Sequence, residues 1–254
     1  MQPVRTLEDQ TERLVRNTML LGLVPGVVLG AVAALLVHPL VGLVVLVVVA
    51  GAWAALVWSR VGSAVAATVD RLGATHLAAG GEPRLENLIE SVSVVGGIEE
   101  PQVRVLSVPT LNAAAVADRS GATFVVTRGL LDGLGRVELE AVLANLAGRV
   151  KAGNARFVTT VLALPLPAGT RDNLLTRGLG EQATVRADLA AVGLTRYPPG
   201  LIAALGVMEQ HGTAVKGAPP ETAPLWLAPI DGFGRVGAGS EESLALRIAV
   251  LQEL

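Results

Sequence analysis

Two long uncharged runs dominate the first quarter of the chain. Thr18 to Val37 reads TMLLGLVPGVVLGAVAALLV, and after His38-Pro39 the run Leu40 to Trp58 reads LVGLVVLVVVAGAWAALVW. Each is long enough to cross a hydrocarbon core of roughly 30 Å at about 1.5 Å per residue. Their adjacency predicts a transmembrane helical hairpin over 18–58 (spans 18–37 and 40–58), with Pro25 kinking the first span. The first run is too long for the apolar core of a signal peptide, and a second follows directly. Residues 1–17 predict a short amphipathic helix with Leu7, Leu14 and Val15 on its apolar side. Arg5, Arg13 and Arg16 precede the hairpin, its turn carries no Lys or Arg, and Arg60 and Arg71 follow it. The positive-inside bias then places both termini in the cytoplasm, so the expectation is a multi-pass protein of the cell (inner or plasma) membrane. Its first partner would be the lipid bilayer, with a cytoplasmic domain over 59–254.

The rhythm changes after residue 80. Pro83 to Val95 carries apolar residues at Leu85, Leu88, Ile89, Val92 and Val95, the spacing of an amphipathic helix, and Gly96-Gly97 is its stop. Gln102–Val108, Leu111–Asp118 and Ala122–Thr127 read as short strands, the last two joined by a turn at Arg119-Ser120-Gly121. They predict a small antiparallel sheet. Arg136 to Lys151 (RVELEAVLANLAGRVK) places Leu139, Val142, Leu143, Leu146 and Val150 on one stripe, with acidic residues in its first turn and basic ones in its last. Helices are further expected at 177–191, 200–210 and 240–254, with an irregular Pro- and Gly-rich stretch over 216–239. Phe157–Pro167 is too short to span a membrane and reads as a core helix or a surface-lying one. The fold class is therefore α+β: a two-helix membrane hairpin ahead of a mainly helical domain with a small sheet.

Composition narrows the chemistry. Charge is nearly balanced, 20 Lys+Arg against 22 Asp+Glu, and no basic face is visible, which argues against a nucleic-acid partner. Cysteine is absent, which removes disulfides, thiolate metal sites and a cysteine nucleophile. His38, His76 and His211 are the whole histidine supply and share no helical ligand spacing. The glycines at 129, 133 and 135 and at 232, 234, 237 and 239 read as turns rather than a phosphate loop. Glu181 and His211 read as surface residues.

The order of pieces from Pro83 to Leu205 resembles the HtpX-like membrane metallopeptidases, relatives of the CAAX prenyl protease. The pieces are LIESVSVVGGIEEPQVRVL (88–106), PTLNAAAVAD (109–118), FVVTRGLLDGL (124–134), VELEAVLANLAGRVKAGN (137–154) and RADLAAVGLTRYPPGLIAAL (186–205). The resemblance implies a metallopeptidase-like domain and, for an intact member, zinc held by H-E-x-x-H on the central helix. Aligned through VLA and VKAG, the first ligand position falls on Asn145, the general base on Leu146 and the second ligand on Arg149. The family's third ligand, a glutamate one turn before the aspartate that matches Asp188, falls on Thr184. Arginine offers a metal no lone pair, and leucine accepts no proton. The resemblance thus implies a degenerate member with no catalytic residues, no metal ligands and no cofactor.

What fills the metal's place is an open question at this level. Arg149 pairing with Asp188 is one reading, and Arg149 extending to solvent at the helix end is the other. Asn112, in the family's "NAFA" position, suggests a local backbone hydrogen bond. The strand Ala122, Thr123, Phe124, Val125, Val126 and Thr127 corresponds to the edge where family members lay an extended peptide, so it is either a peptide-binding edge or simply an edge. The functional expectation is a membrane-anchored pseudopeptidase, binding or regulating a protein partner or an unfolded membrane-protein client in quality control. The alternatives are an active zinc metalloendopeptidase and a structural subunit of a membrane complex.

Overall fold

The computed structural model describes residues 7–77, 80–180, 182–231 and 243–254. The amphipathic opening segment is helix α1 (Leu7–Leu20), and it leads into α2 (Leu23–Leu36). The break between them has a local cause. Pro25 has no N–H for the carbonyl of Leu21, which instead accepts from Val24 at 3.2 Å. Pro25 thus lies in the first turn of α2, where a missing donor is cheapest. Helix α3 (Pro39–Gly62) starts at His38, whose Nδ1 accepts from the Leu40 N–H.

Both runs are long and apolar enough to cross a membrane. In the first, counted through α1 and α2, 17% of the most apolar window is buried inside the protein, and in the second 11%, whereas a soluble core helix would be mostly covered. Leu35, Leu36, Val37 and Leu40 are among the most exposed apolar side chains of the chain. The two helices meet through glycine. A Cβ on Gly30 would lie 2.7 Å from the carbonyl oxygen of Gly42, and one on Gly42 would lie 2.5 Å from that of Gly30. Trp53 closes the other end of the contact by donating its indole N–H to the Thr18 carbonyl at 2.7 Å.

Beyond the hairpin come α4 (Ala64–Leu72), the two-residue strand β1 (Thr75–His76) and α5 (Pro83–Gly96). Strands β2 (Gln102–Leu106), β3 (Ala113–Ala117) and β4 (Ala122–Thr127) complete a four-stranded sheet in the order β1-β2-β4-β3. The sheet is mixed rather than antiparallel. The β3–β4 hairpin pairs as expected, but the chain returns so that β2 runs parallel to β4, Gln102 opposite Thr123 and Leu106 opposite Thr127. This places β4 inside the sheet. The reading of Ala122–Thr127 as an edge is therefore corrected: the backbone groups of β4 are used on both sides, and all six of its residues are buried.

A short helix α6 (Arg128–Gly133) is capped by the Thr127 hydroxyl, which accepts from Leu130 N. The central helix α7 (Arg136–Lys151) follows with the predicted bounds, and then α8 (Asn154–Ala163), α9 (Ala168–Leu179), α10 (Ala183–Thr195) and α11 (Pro198–His211). Residues 177–191, read as one helix, are instead split between α9 and α10. Gly180 is the C-cap of α9 at positive φ. Glu181 lies outside the described residues, as do 232–239 of the Pro- and Gly-rich stretch and 240–242 of the expected last helix. A 3₁₀ turn (Pro220–Leu225) and α12 (Leu244–Gln252) end the chain. Phe157, Val158 and Val161 of α8 are buried, so that segment is a core helix.

The main core lies between the sheet, α5, α7 and α11, with Phe124, Leu139, Leu143, Leu146, Leu201 and Leu205 fully enclosed. Helix α7 is covered all round rather than along one stripe, because alanines at 141, 144 and 147 fill its remaining faces. A second core under the other sheet face joins α4, α8 and α9 to Leu225 and Trp226.

Candidate functional site

The middle of α7 presents Asn145 and Arg149 one turn apart toward α10, and both are buried. The two helices run close. A Cβ on Gly148 would lie 2.9 Å from the Cβ of Ala190. Asp188 projects from α10 into this seam, 3% exposed. Its carboxylate accepts from Asn145 Nδ2 at 2.8 Å and from both ends of the Arg247 guanidinium, Nε to Oδ2 and Nη2 to Oδ1, each at 2.7 Å. Arg247 comes from α12 and is itself 2% exposed.

Arg149 enters the same network by a different route. Its Nε donates to Asn145 Oδ1 at 3.0 Å, and its Nη1 donates to the carbonyls of Trp226 at 2.8 Å and Pro224 at 3.4 Å. The salt bridge to Asp188 is thus made by Arg247, and Asn145 stands between Arg149 and the carboxylate. Neither expectation for Arg149 describes this: it does not reach solvent, and the side chain that takes the carboxylate directly belongs to the last helix. Burial pushes the Arg149 guanidinium down to about 10, with the nearby Arg247 charge acting in the same direction and Asp188 opposing it. Arg149 remains a cation at neutral pH. Among the described residues the seam holds two guanidiniums against one carboxylate, a net positive charge away from water that carbonyl dipoles offset. Arg247 Nη1 adds one more by donating to Leu227 at 2.7 Å.

Those carbonyls belong to one segment. From Pro220 to Ala228 the chain crosses the seam and runs along the free side of β3. Trp226 forms an antiparallel bridge with Ala114, and Leu227 N donates to Ala113 O at 2.7 Å. Asn112 fixes its far end. The side-chain amide donates to the carbonyls of Ala228 and Thr213, each at 2.9 Å, and its oxygen accepts from the N–H groups of Ala113 and Ala228. The local bond expected of Asn112 is present, and its longer-range role is to tie β3 to the segment over it. Leu225, Trp226, Leu227 and Ala228 are all buried.

Leu146 points into the main core, fully enclosed. Thr184 lies one turn before Asp188 on α10, half-buried. His76 sits on β1 and His211 at the end of α11, both exposed and away from the seam. Among the described residues no group of three or more His, Asp or Glu side chains converges in a way that could hold a metal ion.

Sequence reasoning missed Arg247. A signal was available: within LALRIAVL the arginine shares a helical face with Leu244, Ile248 and Leu251, and a lone cation on an apolar stripe calls for a buried partner.

The architecture defines the class first, a mainly helical α+β protein that carries two candidate membrane spans ahead of its domain. Among curated proteins, the chain is similar to the one named Protease HtpX homolog from Dictyoglomus thermophilum, 31% identical over 188 residues, covering 59% of this chain and 62% of that protein. Proteins of the same name from Dictyoglomus turgidum (30% identical, 57% of this chain and 60% of that one) and Tropheryma whipplei (26%, 61% and 66%) are similar over the same extent. Over this matched region the chain is similar to proteins of that name. It spans about three fifths of the length of the first two relatives and just under two thirds of the third. No family model matches the chain, and no solved structure matches it.

Proposed function

We propose that this chain is a membrane-anchored, catalytically inactive HtpX-like protein, a pseudopeptidase that acts by binding or regulating other proteins in membrane-protein quality control. The carrying observation is the Asn145–Asp188–Arg247–Arg149 network in the seam of α7 and α10. In the HtpX-like reading, Asn145, Arg149 and Thr184 stand at the metal-ligand positions and Leu146 at the general base. The donor set does not fit zinc. Catalytic zinc takes three ligands from His, Asp, Glu or Cys with one position open. Here the one buried carboxylate among the described residues is already committed to a bidentate guanidinium, and a second guanidinium sits one turn along α7 from Asn145. A divalent cation brought beside two arginines in a partly dry seam would be strongly repelled.

The segment over β3 favours the same reading. An extended peptide binding by strand addition needs an unpaired strand edge. At Ala113 and Ala114 that edge is used by Trp226 and Leu227 of the chain itself.

Membrane anchoring rests on the exposed apolar faces of α2 and α3 together with the arginines that flank them. The same flanks support cytoplasmic termini and a domain beneath the inner leaflet. The names of the relatives favour the second reading, a working zinc endopeptidase.

Metal analysis of the detergent-purified protein, run beside cleavage of an unfolded casein substrate, separates the two. The pseudopeptidase reading expects no stoichiometric zinc and no chelator-sensitive cleavage. One zinc per chain with cleavage that a chelator abolishes would overturn it.

A further inference from the structure

A cavity of about 390 Å³ opens where α1, the C-terminal end of α3, the β3–β4 hairpin and α8 meet, away from the α7 seam. Its walls are largely apolar, formed by Val15 and Met19 of α1 and Val61 of α3, and Trp58 stands exposed at its margin. Three arginines also line it: Arg16 of α1, Arg119 of the hairpin turn and Arg156 of α8. Two carboxylates face them. Glu12 pairs with Arg119 at 2.9 Å and more loosely with Arg156 at 3.6 Å, and Asp118 is turned inward to cap the N–H and hydroxyl of Ser120. Arg156 also lies 3.9 Å from Glu8. Arg16 makes no ion pair or hydrogen bond among the described residues. Arg16 is therefore a cation free to take an anion, beside an apolar hollow at the end of a candidate span.

We infer that this cavity binds an anionic phospholipid, with an acyl chain against Val15, Met19 and Val61 and the phosphate between Arg16 and Arg119. Neither half of the lining suits a free anion or a neutral lipid as well. A free phosphate would leave the apolar walls wet, and a zwitterionic headgroup would bring a second cation to the arginines. A guanidinium that already holds one carboxylate still has N–H donors to give, so Arg119 can serve both Glu12 and a phosphate. Tryptophan at the margin is the residue type found at headgroup depth. Occupation would fasten the soluble domain to the hairpin in an acidic leaflet. The inference rests on the membrane reading proposed above.

The test uses the full-length protein in phosphatidylcholine nanodiscs carrying the same small share of either brominated phosphatidylglycerol or brominated phosphatidylcholine. Trp58 emission is isolated as the difference from Trp58→Phe. Phosphatidylglycerol is expected to quench Trp58 at roughly a fivefold lower share than phosphatidylcholine for each arginine engaged. Arg16→Gln combined with Arg119→Gln should remove that preference. Gly62→Leu should lower quenching by phosphatidylglycerol without touching an ion pair, because Gly62 lines the cavity and a Cβ there meets nothing within 4 Å. Equal quenching by the two lipids in the parent protein, or a preference that survives the arginine substitutions, would overturn the lipid site while leaving the membrane reading intact. A chain that stays outside the nanodisc, with Trp58 quenched by neither lipid, would sink both.

Discussion

The α2–α3 hairpin and the α7–α10 pair are both drawn together by glycine, at Gly30 and Gly42 in one and Gly148 in the other. They differ in everything around that contact. The hairpin presents apolar side chains outward, and its register follows from shape, small residue against backbone, with one indole bond at its end. The α7–α10 seam is enclosed on all sides and carries charge, so its register follows from which donor meets which acceptor. Close packing needs only small residues in the right places. A buried network also needs every partner, because an uncompensated buried charge costs more than a lost contact.

That contrast can be broken most severely at Asp188. Asp188→Ala leaves Arg247 and Arg149 buried without their carboxylate and is expected to cost about 3–5 kcal/mol, read from thermal unfolding of the full-length protein in detergent. Pairing it with Arg247→Met should recover much of the loss, and a double variant no better than the single one would show that the seam is not organised by this pair. Asn112→Ala comes next. It strips partners from Ala113, Thr213 and Ala228 and should cost about 2–4 kcal/mol, with the segment over β3 becoming open to protease, since each orphaned buried group costs about 1–3 kcal/mol. Gly30→Val tests the hairpin. Its Cβ must displace the Gly42 backbone, so a loss of about 1–3 kcal/mol is expected, and cysteine cross-linking between α2 and α3 should weaken, which a chain without native cysteines makes straightforward to read. Arg149→Met should be milder, about 1 kcal/mol, because the hydrogen bonds to Trp226 and Asn145 are lost while a like charge beside Arg247 is removed. Gly51→Leu should fall within about 0.5 kcal/mol, since a side chain there meets open space.

Much of the frame was legible residue by residue. The start and end of α7 follow from its apolar spacing and its charged termini, and α5 ends at Gly97, whose positive φ is the stop that Gly96-Gly97 announced. The apolar helical hairpin was legible because runs of about twenty uncharged residues have few uses other than a membrane span. Which of the glycines in these two runs meets the neighbouring helix was not legible. Gly26 and Gly30 face the partner span, whereas Gly51 faces outward. The candidate site was half legible. Asn145, Arg149, Thr184 and Asp188 could be singled out from the order of motifs, but the side chain that completes the site lies 59 residues beyond Asp188. No local pattern couples residues at that separation.

The sequence by itself determined the elements, because hydrophobic period, caps and runs without charge act over a few neighbouring residues. It also determined that no cysteine chemistry is open to the chain and that no two histidines share a helical ligand spacing, since no fold can change either. Tertiary structure decided the rest. It made β4 an inner strand, since a parallel return of β2 needs a long crossover that strand periodicity cannot indicate. It also gave Asp188 to Arg247 rather than to Arg149, because helix α12 delivers a guanidinium in bidentate geometry while Asn145 occupies the space between Arg149 and the carboxylate. Which of two cations wins a buried carboxylate is settled by where the chain's far end returns, and that return depends on the whole core at once.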